Sequence, residues 1–255
     1  MPDTYNDRLF HGNRARRFLH ERRFWWLVDR LRRLHISRAA VIEIGCYDAK
    51  TISYLERGGI AVTRYVGYEA DADVFARAQP QWASRLEITL VKSNASSDID
   101  LSATFDVGIC METLEHLPDD LVDGYLDALA RVVRGPVFFT IPVERGAMLI
   151  AKQLGYRIFG MYGDRLSWRD LLNGALSRTD RIPRHEHRGF DDRRMLERIA
   201  RYFTVTESTG LFVPYFTTLN FTLGIVGTAK QRPQKHHPGP KLFPFLFPLF
   251  PRERG

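Results

Sequence analysis

The sequence predicts an α/β protein with a doubly wound, mostly parallel sheet of seven strands. Three observations predict it. Short apolar runs alternate with helical patterns from Ala39 to Ile141. Those runs are nearly continuous in apolar residues, as strands covered on both faces require. The core then ends on two strand patterns, 203–209 and 220–229, with no helix between them, which reads as an antiparallel hairpin at a sheet edge.

The elements follow in order. Residues 14–34 read as a basic amphipathic helix, with Leu27, Leu31 and Leu34 spaced on one face and Trp25 and Val28 beside them. Eight arginines lie in that stretch against Glu21 and Asp29. The run AAVIEIG (39–45) is a buried strand that stops at Gly45, and Ala49–Arg57 is a helix ended by Gly58-Gly59. The unit repeats as strand 65–69, helix 71–79 stopped by Pro80, and strand 87–92. It continues as strand 105–111, helix 120–133 and strand 137–141, closed by Pro142. Residues 143–189 break the rhythm, being basic and mixed in pattern. A connection of that length predicts an inserted functional lid. Helix 191–202 follows, with Met195, Ile199 and Tyr202 on one face. The expected organisation is an N-terminal helical segment (1–38), a domain (39–230) carrying the 143–189 insertion, and a Pro/Phe-rich basic tail (231–255).

Composition narrows the classes. The chain has 255 residues, enough for one large domain, and a net charge of +7 that favours acidic partners. Gly and Pro contents are ordinary, so low-complexity and collagen-like classes are excluded. Cys46 and Cys110 are the two cysteines, too few for a disulfide framework, and no CxxC is present to hold zinc. Both lie in apolar runs and are expected as buried thiols. There is no apolar signal core near the N-terminus and no run of membrane-spanning length. A cytoplasmic protein is expected, with peripheral membrane contact as an option.

The chemistry concentrates in VIEIGCYDAKT (41–51), where a strand ends, the chain turns tightly and a helix opens. Small residues there let the backbone approach a ligand, and the helix N-terminus favours negative charge. Glu69 closes the next strand, placed to accept hydrogen bonds from the two hydroxyls of a ribose. Together they indicate nucleoside binding at the carboxyl edge of a parallel sheet. No Gly-x-Gly-x-x-Gly follows Gly45, which argues against a dinucleotide.

The stretch instead resembles the acidic-x-Gly-x-Gly-x-Gly loop of class I S-adenosylmethionine-dependent methyltransferases. Glu43 stands as the leading acid and Gly45 as the first glycine, while Tyr47 and Ala49 occupy positions usually held by glycines. FDVGICMETLEHLPDD (105–120) resembles the fourth-strand motif of this superfamily, and its TLEHL portion is similar to the quinone-biosynthesis type of small-molecule O-methyltransferase. The resemblance covers about residues 39–142 and 190–229. It implies a Rossmann-like fold whose seventh strand is antiparallel, with S-adenosyl-L-methionine as cofactor.

The resemblance also assigns positions. Glu43, Gly45 and Tyr47 would line the methionine end of the cofactor. Glu69 would hold the ribose and Ala70 would lie against the adenine. Asn94 and Ala95 would approach the adenine ring, and Met111 and Glu112 would sit beneath the cofactor near the sulfonium. Methyl transfer from an activated sulfonium asks the protein mainly for alignment and exclusion of water. A hydroxyl acceptor also benefits from a base. Glu115, His116 and His187 are the candidates, with His185 beside them. Glu112, Glu115, His116 and one of those histidines resemble the metal-binding set of the small-RNA 2′-O-methyltransferases. The EHL sequence is shared with relatives that use no metal, and no metal is assigned.

The leading expectation is therefore methylation of a small-molecule, lipid or glycan acceptor. Basic and apolar residues interleave in 143–189 and suit such a substrate. An RNA 2′-O-methyltransferase and a non-catalytic scaffold of the same fold are the alternatives. Nucleic acid ranks lower because no stacking module is recognisable. Residues 14–34 and the tail are the candidate contacts for an anionic membrane. The sequence sets no oligomeric state.

Overall fold

The computed structural model describes residues 14–158, 166–183, 189–214 and 219–230. Its elements run α1 (Arg14–Arg33), β1 (Arg38–Ile44), α2 (Lys50–Arg57), β2 (Ala61–Glu69), α3 (Ala72–Trp82), β3 (Ile88–Lys92), β4 (Val107–Met111), α4 (Asp119–Val132), β5 (Pro136–Pro142), α5 (Gly146–Ile158), α6 (Trp168–Ala175), α7 (Asp192–Tyr202), β6 (Phe203–Gly210) and β7 (Thr222–Ala229). The seven strands form one sheet in the order β3-β2-β1-β4-β5-β7-β6. The first five run parallel, and β7 pairs antiparallel with both β5 and β6. The predicted fold class is thus the observed one.

The inner strands β1, β4 and β5 are buried on both faces, which is why they are apolar at consecutive positions, whereas the edge strand β6 alternates. Ile42, Ile44, Cys110 and Phe139 pack with α4 and α7. Val41, Ile109 and Phe138 pack with α1 and α2. Both cysteines are buried free thiols. Chain reversal falls between β1 and β4, whose crossovers lie to opposite sides. The crevice outside their carboxyl ends is where ligands of such sheets bind.

Several boundaries differ from expectation, each for a local reason. Strand β2 starts four residues before Tyr65, at Ala61. Its polar opening pairs with Arg38 and Ala39 at the edge of the sheet, next to a register shift in β1. Helix α3 does not stop at Pro80 but continues to Trp82. The proline removes a hydrogen bond to the Ala76 carbonyl, and Ala76 is exposed, so water replaces it. Phe105 lies outside β4 and makes only an isolated bridge to Val133.

Helix α1 buries Leu27, Val28 and Leu31, as the spacing indicated, and adds Phe24 and Trp26 to that face. Leu34 lies beyond the helix and Trp25 is exposed, so these two do not belong to it. Phe24 stacks on Tyr54 at 4.6 Å between ring centroids. Three of the helix arginines are tied to the rest of the protein. Arg30 donates to both carboxylate oxygens of Glu207 at 2.7–2.9 Å, Arg22 to the Leu211 carbonyl and Arg32 to the Gly58 carbonyl.

The stretch 143–189 contains two helices that the mixed pattern did not reveal. Helix α6 is capped by Ser167, whose hydroxyl oxygen accepts from the Asp170 N–H. Leu149 of α5 packs with Leu166 and Leu171, and a Cβ at Gly174 would come within 2.2 Å of it. Arg145 forms a two-pronged ion pair with Asp192, at 2.7 and 2.9 Å, that ties the start of this region to α7. Among the described residues no helix is long and apolar enough to cross a membrane. The tail 231–255 and the histidines 185 and 187 lie outside the described residues.

Candidate active site

The turn after β1 is built by backbone conformation. Gly45 has φ +69°, and a Cβ there would come within 2.3 Å of the Thr113 hydroxyl oxygen, so the position requires glycine. The N–H groups of Gly45 and Cys46 both donate to the Tyr68 carbonyl. Tyr47 and Ala49, which replace the usual glycines, keep the glycine-like path with φ 52° and 55°. Glu112, at the end of β4, is also left-handed at φ 51°. Left-handed backbone at a side-chain-bearing residue costs about 1–3 kcal/mol and is concentrated at functional sites.

Two carboxylates brace this turn. Glu69 accepts the Tyr47 N–H and the Asp71 N–H, each at 2.8 Å, and so joins the turn after β1 to the turn after β2. Each carboxylate oxygen keeps a further lone pair for a ligand hydroxyl. Glu43 is buried beneath the turn and accepts the hydroxyls of Thr51, at 2.8 Å, and Tyr65, at 2.5 Å. Burial pushes its carboxyl up to about 7, and those two hydrogen bonds only partly offset the effect.

A cavity of about 520 Å³ opens above these groups at the carboxyl edge of the sheet. That volume suits a nucleoside-sized ligand. Its lining includes Glu43, Gly45, Tyr47, Glu69, Ala70, Met111, Glu112 and His116 among the residues expected there. Three expected residues are not part of the lining. Asn94 is exposed, and neither it nor Ala95 faces the cavity, whereas Ser93 does. Glu115 lies behind the wall, 2% exposed, with both carboxyl oxygens buried and lacking hydrogen-bond partners. Burial raises its carboxyl well above the usual range, and the neighbouring Glu112 raises it further. Burial also raises Glu112, against the opposing charges of Arg23 and Lys152. His116 sits on the short turn Leu114–His116 and lines the cavity.

Sequence reasoning missed a second wall. His20, Arg23 and Phe24 of α1 face the cavity. The Arg23 Nε is buried without a hydrogen-bond partner, and its charge bears on Glu43, Glu112 and Glu115. No spacing within residues 14–34 marks these positions, because the site lies in a distant part of the chain. Among the described residues no group of three or more His, Cys, Asp or Glu side chains is arranged to hold a metal.

The strand order, the antiparallel β7 and a cavity over a left-handed turn define a class I methyltransferase fold. Residues 41–135 match the family model described as a methyltransferase domain, and the cofactor of this class is S-adenosylmethionine. No curated protein matches the chain. An S-adenosylmethionine-dependent methyltransferase from Clostridium acetobutylicum superposes with a TM-score of 0.60 at 9% identity, covering 88% of this chain and 96% of its own. The methyltransferase domain of bacterial CtHen1 gives 0.57 at 16% identity, covering 82% and 99%. Magnesium protoporphyrin IX methyltransferase from Synechocystis, with bound S-adenosylhomocysteine, gives 0.54 at 14% identity, covering 86% and 88%. At these identities the likeness establishes the shared fold.

The residues present fit the cofactor. A nucleoside needs a hydroxyl acceptor, and Glu69 has lone pairs to spare. A close backbone approach needs the missing side chain at Gly45. An amino acid carboxylate needs a cation, and Arg23 holds an unused buried donor.

Proposed function

We propose that this protein is an S-adenosylmethionine-dependent methyltransferase that methylates a hydroxyl of a small-molecule, lipid or glycan acceptor. The observation that carries the reading is the cavity bounded by Gly45, Glu69 and the Met111–His116 segment at the carboxyl edge of the sheet. When bound, the cofactor supplies a methyl group already activated on a sulfonium.

The chain's own residues then have distinct tasks. Glu69 accepts the ribose hydroxyls while it holds the turn through Tyr47. Ala70 and Ser93 border the adenine side. Arg23 pairs with the carboxylate at the methionine end. Met111 and Glu112 form the floor near the sulfonium, where the negative charge of a carboxylate suits a cationic centre. His116, which lines the cavity, takes the proton of the acceptor hydroxyl on a ring nitrogen. Glu115 acts behind it on the potential of the site, and His187 is the further candidate base. Helix α1 and the inserted helices α5 and α6 belong with the 39–230 domain and frame the acceptor side. The protein works in the cytoplasm.

The test has two stages. Calorimetry should show micromolar or tighter binding of S-adenosylhomocysteine and none of NAD. Labelled S-adenosylmethionine should then place label in the organic-phase products or small metabolites of a cell extract. Label confined to RNA would move the acceptor to nucleic acid. Absence of cofactor binding would leave a scaffold that keeps the fold.

A further inference from the structure

The two inserted helices carry an outer surface that the cofactor site does not use. In α5, the exposed residues between Ala147 and Leu154 are Ala147, Ile150, Ala151 and Leu154, and all are apolar. Their spacing of three, four and seven puts them on one stripe. The opposite side of that helix is anchored by buried Leu149 and Gln153. In α6, Leu172 is 61% exposed, and Leu176 just past its end is 52% exposed. Helix α6 packs on α5 through Gly174 and Leu149, so the two stripes belong to one small unit. Exposed apolar stripes on two packed helices mark an interaction site.

Charge indicates what the surface meets. Exposed Arg169 and Arg178 flank the α6 stripe, and Arg181 follows on the next turn. Residues 143–189 hold nine Lys and Arg against five Asp and Glu, a surplus of four within a chain whose net charge is +7. Within that stretch Arg145 and Lys152 are engaged by Asp192 and Glu144, as Arg22, Arg30 and Arg32 of α1 are by Leu211, Glu207 and Gly58, and Arg169, Arg178 and Arg181 are the exposed ones. Trp168, 75% exposed, opens the α6 stripe one turn before Leu172, and a single aromatic among aliphatic residues gives RNA no row of stacking platforms. An apolar face of Leu and Ile with arginines at its margin is instead the pattern of a helix lying in the interface of an anionic bilayer.

We propose that the outer face of α5 and α6 docks the protein on an anionic lipid surface. The unit leaves the sheet directly after β5, at the same carboxyl edge where the cavity opens. Docking there brings the cavity mouth toward a lipid-borne acceptor. That last consequence rests on the proposed function, but the docking itself does not.

The experiment is co-sedimentation of the full chain with phosphatidylcholine vesicles, with and without phosphatidylglycerol, alongside calorimetry of S-adenosylhomocysteine. Wild type should sediment with the phosphatidylglycerol vesicles and weakly with phosphatidylcholine alone. The double variant Leu154→Glu/Leu172→Glu should lose on the order of tenfold or more in partitioning, because two apolar side chains no longer enter the interface. Arg169→Gln/Arg178→Gln should lose roughly fivefold for each arginine. All of these positions are exposed, so folding and S-adenosylhomocysteine affinity should be unchanged, which separates failure of docking from failure of the cofactor reading. Three results would overturn the proposal: no sedimentation of wild type, equal sedimentation of the leucine variant, or a wild-type dimer that the leucine variant converts to monomer without any vesicle binding.

Discussion

The turn regions after β1 and β2 and the inserted helices after β5 face the same edge of the sheet, yet they are built in opposite ways. In the first, polar groups are paired and backbone conformations fixed. Glu69 takes two N–H groups, Glu43 takes two hydroxyls, and Gly45 fits against Thr113 with no room for a side chain. In the second, two short helices pack through a few side chains and turn leucines outward. The contrast separates two demands. A fixed cofactor requires fixed geometry, and a variable acceptor permits a loosely specified surface.

The largest expected effect would break the first region outright. Gly45→Val should abolish S-adenosylhomocysteine binding while the chain stays folded, because the turn must move away from Thr113. Circular dichroism and calorimetry on one sample check both parts, and normal binding would remove the turn from the site. Next comes a pH effect beneath it. Glu43 holds a proton in the folded state up to about pH 7, whereas its ordinary carboxyl value is 4.5. The folded state therefore binds the extra proton between those values, and stability falls as pH rises through that window. The shift corresponds to about 3 kcal/mol. Glu43→Gln should flatten that part of the stability profile in urea titrations run across the window, and an unchanged profile would refute the assignment.

Glu69→Ala should weaken S-adenosylhomocysteine by about 1.5–3 kcal/mol, the range for hydrogen bonds to a charged group. Unchanged affinity would show that Glu69 only braces the Tyr47 turn. The smallest effect sharpens the contrast from the other side. Ser177 follows α6 with φ 59°, a position where glycine is preferred. Ser177→Gly should raise stability by about 1 kcal/mol and leave cofactor affinity untouched. A change in affinity would mean that the two regions are mechanically joined.

The same division governs what the sequence made legible. The parallel strands were readable because burial on both faces writes itself as consecutive apolar residues, as in Val41–Ile44 and Val107–Met111. Glycine chemistry exposed the turn at Gly45, and a strand-end acid exposed Glu69. The wall supplied by His20, Arg23 and Phe24 was not readable. Its role depends on how α1 lies across the sheet, and Trp26 against Phe138 and Gly224 decides that. The place of Phe24 rather than Trp25 on the buried face of α1 was missed for the same reason, since Phe24 is inward because Tyr54 receives it. Helix α5 escaped notice because an outer face as apolar as the inner one weakens amphipathic periodicity, and α6 because it is only eight residues long. Pro80 misled because a proline near a helix end costs little when the bereft carbonyl meets water.

The anchoring of α1 has a consequence for how the protein is made. Arg30 and Arg22 reach partners 177 and 189 residues further along the chain, in β6 and just after it. A ribosome delivers the helix well before its anchors. The emerging chain can assemble β1 to β5 with their local helix crossovers, and α1 can already rest on α2 through Phe24 and Tyr54, before the anchors of Arg22 and Arg30 exist. The cavity wall containing Arg23 is then clamped only when the final hairpin arrives, so tight cofactor capture follows synthesis of β6 and β7. Nascent chains stalled before β6 should retain no S-adenosylhomocysteine, and chains released past Ala229 should.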